Sequence, residues 1–427
     1  MLKDQHHTIL ILGGGAAGFF AAIACAEQNP AARVRILEKG KEVLGKVKVS
    51  GGGRCNVTNG CFEPAELVKN YPRGGKALLG PFHRFCTGDT MHWFESRGVA
   101  LKIEDDGRVF PVSNNSQTII DCLLGAAHKA GVEVIRQTRV DQIYPPEQGN
   151  QRWKIMTGEG EALYADKVLI ASGSSTPVWE MIRHLGHHIV DPVPSLFTFN
   201  VKNPRIEGLQ GLSVPLAQVK IEGTNFKAEG PLLVTHWGFS GPGILRLSAW
   251  AARELRDMDY KFQIRINWAY PMNPNELQEK LYAFKEENSR KLVSKVNPLG
   301  MPQRLWKQLG DLPEQEWGAM GKKALNQLAQ ELAAGQFAVT GKSTFKDEFV
   351  TAGGVDLKEV DFKTFESRIH KGLYFAGEVL DIDAITGGFN FQAAWTGAGS
   401  QGRRWRRLGS LRPYSITTIC TLPPARM

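Results

Sequence analysis

The chain opens on a short unbroken apolar run, Ile9-Leu10-Ile11-Leu12, the pattern of a parallel strand buried on both faces. A glycine turn follows at once, and residues 16 to 28 then run alanine-rich and helical. Val34-Arg35-Ile36-Leu37 predicts a second strand ending at Glu38, so the stretch reads as a β–α–β unit. Two more apolar runs, Lys167-Val168-Leu169-Ile170 and Leu373-Tyr374-Phe375, predict further buried strands. Between them the pattern changes. Residues 197 to 268 alternate in strand fashion, as in Phe197 to Val201, Gln218 to Ile221 and Phe262 to Ile266. Residues 274 to 334 are rich in Glu, Lys, Gln and Leu at helical spacing and predict a separate small helical unit. Pro192, Pro194 and Pro204 punctuate the way out of the first domain, and Asp347 to Val355 carries the chain back. No internal repeat interrupts this order.

The glycine turn has the spacing Gly13-x-Gly15-x-x-Gly18. Gly13 permits a tight turn, Gly15 lets backbone approach a pyrophosphate, and Gly18 lets the helix pack on the strand. Ala16 and Ala17 begin a helix whose free N–H groups and positive dipole end suit phosphate. Glu38 would accept hydrogen bonds from an adenosine ribose and repel a 2′-phosphate, which favours FAD or NAD over NADP. Gly397-x-Gly399-x-x-Gly402 matches the same spacing but follows a helical stretch and opens no β–α–β unit, so it is rejected.

Three distant segments favour FAD over NAD. Gly45 to Asn59 contains Ser50-Gly51-Gly52-Gly53-Arg54-Cys55-Asn56, whose consecutive glycines would let amides approach a planar ring or a phosphate. Lys167 to Gly173 is a strand ending in the small residues Ala171-Ser172-Gly173, beneath which a cofactor could lie. Gly372 to Glu378 is another strand, followed by Gly387-Gly388-Phe389-Asn390-Phe391-Gln392, a glycine pair opening a helix. For a flavin, that helix start would serve N1 and O2, where negative charge gathers on reduction. Each segment also has a plain structural reading, a glycine-rich turn or a glycine-capped helix without ligand.

Composition changes this picture little. At 427 residues, two to three domains are expected, and 42% hydrophobic with 22% charged residues describes a folded, water-soluble chain. The net charge of +9 hints at an anionic partner, but Arg403, Arg404, Arg406, Arg407, Arg412 and Arg426 supply six of the nine charges from a tail without an acidic residue after Asp383. RNA binding is permitted rather than demanded. Six scattered cysteines, with no C-x-x-C pair, indicate neither a disulfide scaffold nor a zinc site, and no metal is expected. The uncharged stretch at residues 8 to 26 could imitate a signal peptide, but its glycines break an apolar helix, so a cytoplasmic protein without a membrane span is expected.

The motifs together resemble the BaiN/RdsA-like FAD-dependent flavoproteins, also described as aminoacetone-oxidase-like. The resemblance rests on Gly13-Gly14-Gly15-Ala16-Ala17-Gly18, Ser50 to Asn59 (SGGGRCNVTN), Thr235-His236-Trp237-Gly238-Phe239-Ser240-Gly241-Pro242, Thr351-Ala352-Gly353-Gly354-Val355 and Gly377 to Gln392. It covers residue 8 to about residue 396. It implies an α/β fold, a FAD-binding Rossmann-type doubly wound domain interrupted by a β-barrel-like domain and a small helical domain. The boundaries expected are 1–192 with 350–402 for the Rossmann domain, 193–272 with 335–349 for the barrel-like substrate domain, 273–334 for the helical insertion, and 403–427 for a basic, disordered tail. The candidate cofactor residues are Gly13, Gly15, Ala16, Ala17, Gly18, Glu38, Lys39, Lys46, Ser50, Gly51, Gly52, Gly53, Arg54, Cys55, Asn56, Ala171, Ser172, Gly173, Gly377, Glu378, Gly388, Phe389, Asn390 and Gln392.

The resemblance also implies an oxidoreductase. One branch looks like a dihydrouridine synthase acting on large-subunit ribosomal RNA; others are linked to bile-acid double-bond reduction or aminoacetone oxidation. This chain has one residue fewer between Gly45 and Ser50 than the RNA-modifying branch leads one to expect, which points to a sister group. Reducing a uracil 5,6 double bond needs a hydride at C6 and a proton donor near C5. Cys55, His236 and Arg54 are the candidate catalytic residues, with packing of the loop the favoured role for Cys55 and a structural histidine equally open for His236. Ser240 is expected to cap the helix that Pro242 begins. With no second nucleotide fingerprint, NADH or NADPH as electron donor must reach the flavin directly and leave before substrate binds, giving ping-pong kinetics. A small-molecule flavin oxidase and a non-catalytic flavin protein stay open as alternatives, as do the oligomeric state and the donor.

Overall fold

The computed structural model describes residues 7–147, 151–310, 312, 314–343 and 350–404; the basic tail lies almost wholly outside them. Five parallel strands form the centre of the first domain, in the order Leu373–Phe375, Lys167–Ile170, Thr8–Leu12, Arg33–Leu37 and Glu133–Ile135. Two short antiparallel strands, Val360–Asp361 and Glu366–Ser367, extend one edge. The unbroken apolar run of the first strand now has its reason. Ile9 and Ile11 enter the core under the helices Ala16–Gln28 and Ser116–Lys129. Leu10 and Leu12 enter the opposite core, with Trp153, Trp179 and Phe375. A strand wetted on neither face has no place for a polar side chain. The result is doubly wound, as expected.

The second region is a seven-stranded antiparallel sheet, in the order Gly335–Val339, Phe262–Asn267, Ser213–Ile221, Lys227–Val234, Gly238–Ser240, Thr198–Asn200 and Gly341–Ser343. The first and last strands of that order are separated by Thr340 alone, whose N–H donates to Asn200 O at 2.9 Å. One continuous stretch therefore pairs on both sides, and the sheet curls back on itself, which is the barrel-like character expected.

The helices Pro274–Glu287, Gln303–Leu309 and Lys322–Ala334 form the helical part of this region, and their core is continuous with that of the sheet. Leu281, Trp306, Leu325 and Leu332 share one apolar core with Phe199, Phe239 and Ile264 of the sheet. Pro274–Glu287 packs on Lys322–Ala334, and the buried Trp317 ring meets both Phe284 and Trp306, while Lys322–Ala334 alone of the three lies along the strands Phe262–Asn267 and Gly335–Val339 and so joins the helical core to that of the sheet.

Two strands join the regions. Ile189–Ser195 on the way out pairs antiparallel with Val350–Val355 on the way back. At Gly353 a Cβ would lie 2.7 Å from Pro192 Cα, so glycine is what lets the crossings touch. Among the described residues, no helix is long and apolar enough to cross a membrane.

Candidate functional site

The glycines of the first turn separate by cause. Gly13 sits at φ +112°, where an L side chain is strained, and donates its N–H to Leu37 O at 2.9 Å. A Cβ on Gly18 would run into the Gly13 carbonyl oxygen. Both are glycine because the fold is tight there. Gly15 is different: a Cβ there would meet nothing within 4 Å. It caps the helix Ala16–Gln28 without a side-chain hydrogen bond, leaving space in front of the helix start. Glu38 borders that space, accepting from Gly14 N–H at 2.8 Å and Gly40 N–H at 2.7 Å. Each carboxylate oxygen keeps a further lone pair for a hydroxyl donor. Lys39 is exposed, and no described contact brings it to this turn.

The Ser50 segment is no simple loop. Residues 45 to 49 turn helically, Ser50 breaks out at ψ 147°, and Gly51, Gly52 and Gly53 follow at φ +59°, +68° and +82°. Three left-handed residues in succession are open to glycine and not to ordinary L residues. A Cβ on Gly51 would meet Phe110 Cε1 at 2.9 Å, but Gly52 and Gly53 face open space. Arg54 donates to Glu104 at 2.7 Å and lies 3.8 Å over the Phe110 ring, tying the segment down. Cys55, considered as a proton donor, is fully buried in the apolar core, and burial pushes its thiol up to about 12. The structure gives it the packing role.

The remaining segments close on the same place. Beyond the strand Lys167–Ile170, Ala171 packs against Gly13, Ser172 keeps a buried hydroxyl without a partner among the described residues, and Gly173 turns at φ +60°. At Gly377, φ +77°, a Cβ would lie 3.1 Å from the Ala17 methyl. Glu378 pairs with Lys46 and accepts from Thr351 N–H at 3.0 Å. Gly388, at φ +89°, lies so close to Thr58 that a Cβ would strike its carbonyl. Asn56, with its amide turned to satisfy both ends, accepts from Gly388 N–H and donates to Thr58 O, each at 2.9 Å.

Phe389, itself buried, opens the helix Phe389–Arg404 and accepts from Tyr71 OH at 2.6 Å.

Several side chains expected to touch a cofactor are spent inside the fold. Gln392 is fully buried: its oxygen accepts from Thr58 Oγ1 at 2.6 Å and Thr90 Oγ1 at 2.9 Å, and its nitrogen donates to Thr396 Oγ1 at 3.0 Å. Asn390 clamps Ala384 through both its N–H and its carbonyl, at 3.0 and 3.1 Å. These residues shape the backbone around the space rather than facing into it.

Sequence reasoning missed the network that holds them, Tyr71, Thr58, Thr90 and Thr396, together with a buried ion pair. Arg73 pairs with the fully buried Asp383, which also accepts from Ser195 Oγ at 2.8 Å, and Arg73 donates to Ala249 O at 2.7 Å. Burial pushes the Asp383 carboxyl up, against the opposing pull of Arg73. No periodicity signals such a cluster, because its members lie on separate elements.

His236 stands apart from this assembly, exposed at the tip of the hairpin joining Lys227–Val234 and Gly238–Ser240. Pro242 does begin the next helix, but the cap is Gly241, at φ +95°, not Ser240. Ser240 accepts from Thr198 Oγ1 at 3.1 Å within the sheet instead.

Residues 7–404 match the HI0933-like protein Rossmann-domain family. A protein of Escherichia coli named ribosomal RNA dihydrouridine synthase is 28% identical over 401 residues, covering 91% of this chain and 95% of its own. Its namesake in Haemophilus influenzae is 26% identical, covering 92% and 97%. A 3-dehydro-bile acid delta(4,6)-reductase of Clostridium scindens is 27% identical, covering 90% and 95%. Among solved structures, 3-ketosteroid delta1-dehydrogenase from Sterolibacterium denitrificans, in complex with 1,4-androstadiene-3,17-dione, shares the fold at 12% identity and a TM-score of 0.51, over 94% of this chain and 100% of that one.

Proposed function

The chain belongs to the HI0933-like protein Rossmann-domain family and is a FAD-binding oxidoreductase, and we propose that it spends reducing equivalents from NADH or NADPH on saturating a carbon–carbon double bond, uridine in large-subunit ribosomal RNA being the substrate. The observation that carries the cofactor is the set of positions that face open space, Gly15, Gly52 and Gly53, beside the unpartnered Ser172 hydroxyl. Those residues fit a dinucleotide: Glu38 for a ribose, the start of the helix Ala16–Gln28 for the pyrophosphate, and the glycines at 51–53 and 388 for the ring system. Bound there, FAD supplies two-electron transfer to carbon.

The names of the relatives support the reaction class, since a dihydrouridine is a uridine saturated at its 5,6 bond and the bile-acid relative is named a reductase. Of the three candidates for the proton donor, Cys55 is sealed in the core and Arg54 is held by Glu104 and Phe110. His236 is exposed at its hairpin tip and no described contact brings it to the glycine cluster, so none of the three is placed by its own contacts to deliver the proton.

The bile-acid relative favours a second reading, a small unsaturated ketone as substrate. Mass spectrometry of ribosomal RNA from a deletion strain separates the two: loss of a dihydrouridine, restored by the intact gene, is expected, and an unchanged content overturns the RNA assignment. Anaerobic stopped-flow mixing with NADH and NADPH tests the chemistry itself, bleaching of the flavin by one of them being the expected result.

A further inference from the structure

Trp237 is 56% exposed at a hairpin tip that is built to stay where it is. Thr235 Oγ1 accepts from the N–H groups of Trp237 and Gly238, each at 3.2 Å, and Thr235 N–H donates to Gly238 O at 2.7 Å. Trp237 O accepts from Val201 N–H at 2.9 Å, and Gly238, at φ +142°, is packed so closely on Phe199 that a Cβ would strike its carbonyl. A rigid turn that holds an indole in water gains nothing for the fold, whereas a fixed aromatic face is what an unstacked base requires.

The strand beside the tip leads on to a second feature. After Val201 come exposed Lys202 and half-buried Asn203 and Arg205, and four residues of chain span at most about 14 Å. Arg205 rims a groove of about 1280 Å³ also lined by Lys322, Lys323, Gln327, Gln330 and Gln336. The helix Lys322–Ala334 buries Leu325, Leu328 and Leu332 and turns those lysines and glutamines outward. Its one carboxylate, Glu331, is paired with Arg205 and so neutralised. Among the described residues that line the groove Glu331 is the one carboxylate, so Lys322 and Lys323 complement a phosphate backbone and the amides polar base edges, while Leu312, Met320 and Leu328 add apolar surface for base faces.

We propose that Trp237, Lys202 and the groove under Lys322 and Lys323 form one track for single-stranded RNA, a base stacking on Trp237 and phosphates meeting the lysines. This deepens the reading of RNA as substrate and rests on it. Gln327, Gln330 and Gln336 present amides to base edges or 2′-hydroxyls.

The test is fluorescence anisotropy of the full-length, FAD-loaded protein with a labelled single-stranded RNA of about a dozen nucleotides, titrated at several salt concentrations. Trp237→Ala is expected to weaken binding about tenfold, and Trp237→Phe, which keeps a stacking face, to stay within about threefold of wild type. The double change Lys322→Glu with Lys323→Glu should weaken binding and lower the salt slope by about 1.4, at roughly 0.7 per phosphate contact on a single strand. Lys129→Glu, on the exposed end of the helix Ser116–Lys129 in the other domain, should leave binding within about twofold. Circular dichroism and flavin content identify any variant that misfolds, and the Phe variant then carries the comparison.

Wild-type affinity in both the Ala and the double variant overturns the track, as does a wild-type protein that binds no RNA. If that happens while the deletion strain still lacks a dihydrouridine, the site of RNA contact is wrong and the function stands. If the variants lose RNA while dihydrouridine is unchanged in the deletion strain, the track stands and the proposed reaction fails.

Discussion

Gly15 and Gly18 open the same helix for opposite reasons, and substitution separates them. A side chain at Gly15 has room in the protein itself, so Gly15→Val should fold with an unaltered circular dichroism spectrum and lose flavin absorbance. Retained absorbance would remove the dinucleotide from this turn. Gly18→Ala must push the helix off the Gly13 carbonyl and should lower stability by about 1–3 kcal/mol in urea denaturation. Another residue-scale prediction concerns His187, whose Nδ1 lies 2.8 Å from Glu359 and Nε2 3.0 Å from Ser367 Oγ. Burial holds its pKa below the usual 6.5 despite Glu359. The unfolded chain therefore takes up the proton first, and stability is lost as pH falls below that ordinary value. The urea midpoint should drop between about pH 7 and about pH 5.5, and His187→Gln should flatten the drop; equal slopes in both proteins would contradict this. The glycines were legible in the sequence because spacing alone defines their task. Asn390 and Gln392 were not, since a polar side chain near a glycine turn reads the same whether it meets a ligand or a threonine brought from far along the chain.

At the scale of elements, the helix Phe389–Arg404 is placed by its inner polar contacts. Gln392 satisfies the Thr58 and Thr90 hydroxyls at once and passes the chain of hydrogen bonds through Thr396 to Phe85 O at 3.0 Å. Gln392→Leu would leave two buried hydroxyls without their acceptor, and a loss of about 2–4 kcal/mol in urea denaturation is expected. An undiminished midpoint would show that the network is dispensable. The strands of the parallel sheet were legible from their unbroken apolar runs, and those of the second sheet from alternation. What pattern could not reveal was that Gly335–Val339 and Gly341–Ser343 are two sides of one stretch, or that Lys322–Ala334 alone of the three helices carries the helical core onto the sheet. Periodicity gives the face an element buries, not the partner it is buried against.

Across the whole molecule, the two regions meet at Arg73 and Asp383. That pair ties the segment leading to Gly388 both to Ser195 on the crossing strand and to Ala249 in the second region. Arg73→Met would strand a buried carboxylate and should destabilise the protein by about 3–5 kcal/mol in urea denaturation; a loss under about 1 kcal/mol would mean the junction is held elsewhere. The overall charge of +9 proved a poor guide, since most of it sits in the tail, while the lysines proposed to meet RNA lie in a segment of mixed charge. The proposed chemistry requires one cofactor spanning the turn at Gly13, the glycines at 51–53 and the helix start after Gly388. Its most direct test is the absorption spectrum of the purified protein, with the released cofactor identified by chromatography. A yellow protein holding about one FAD per chain is the predicted result. A colourless protein that takes up no FAD on reconstitution would contradict it.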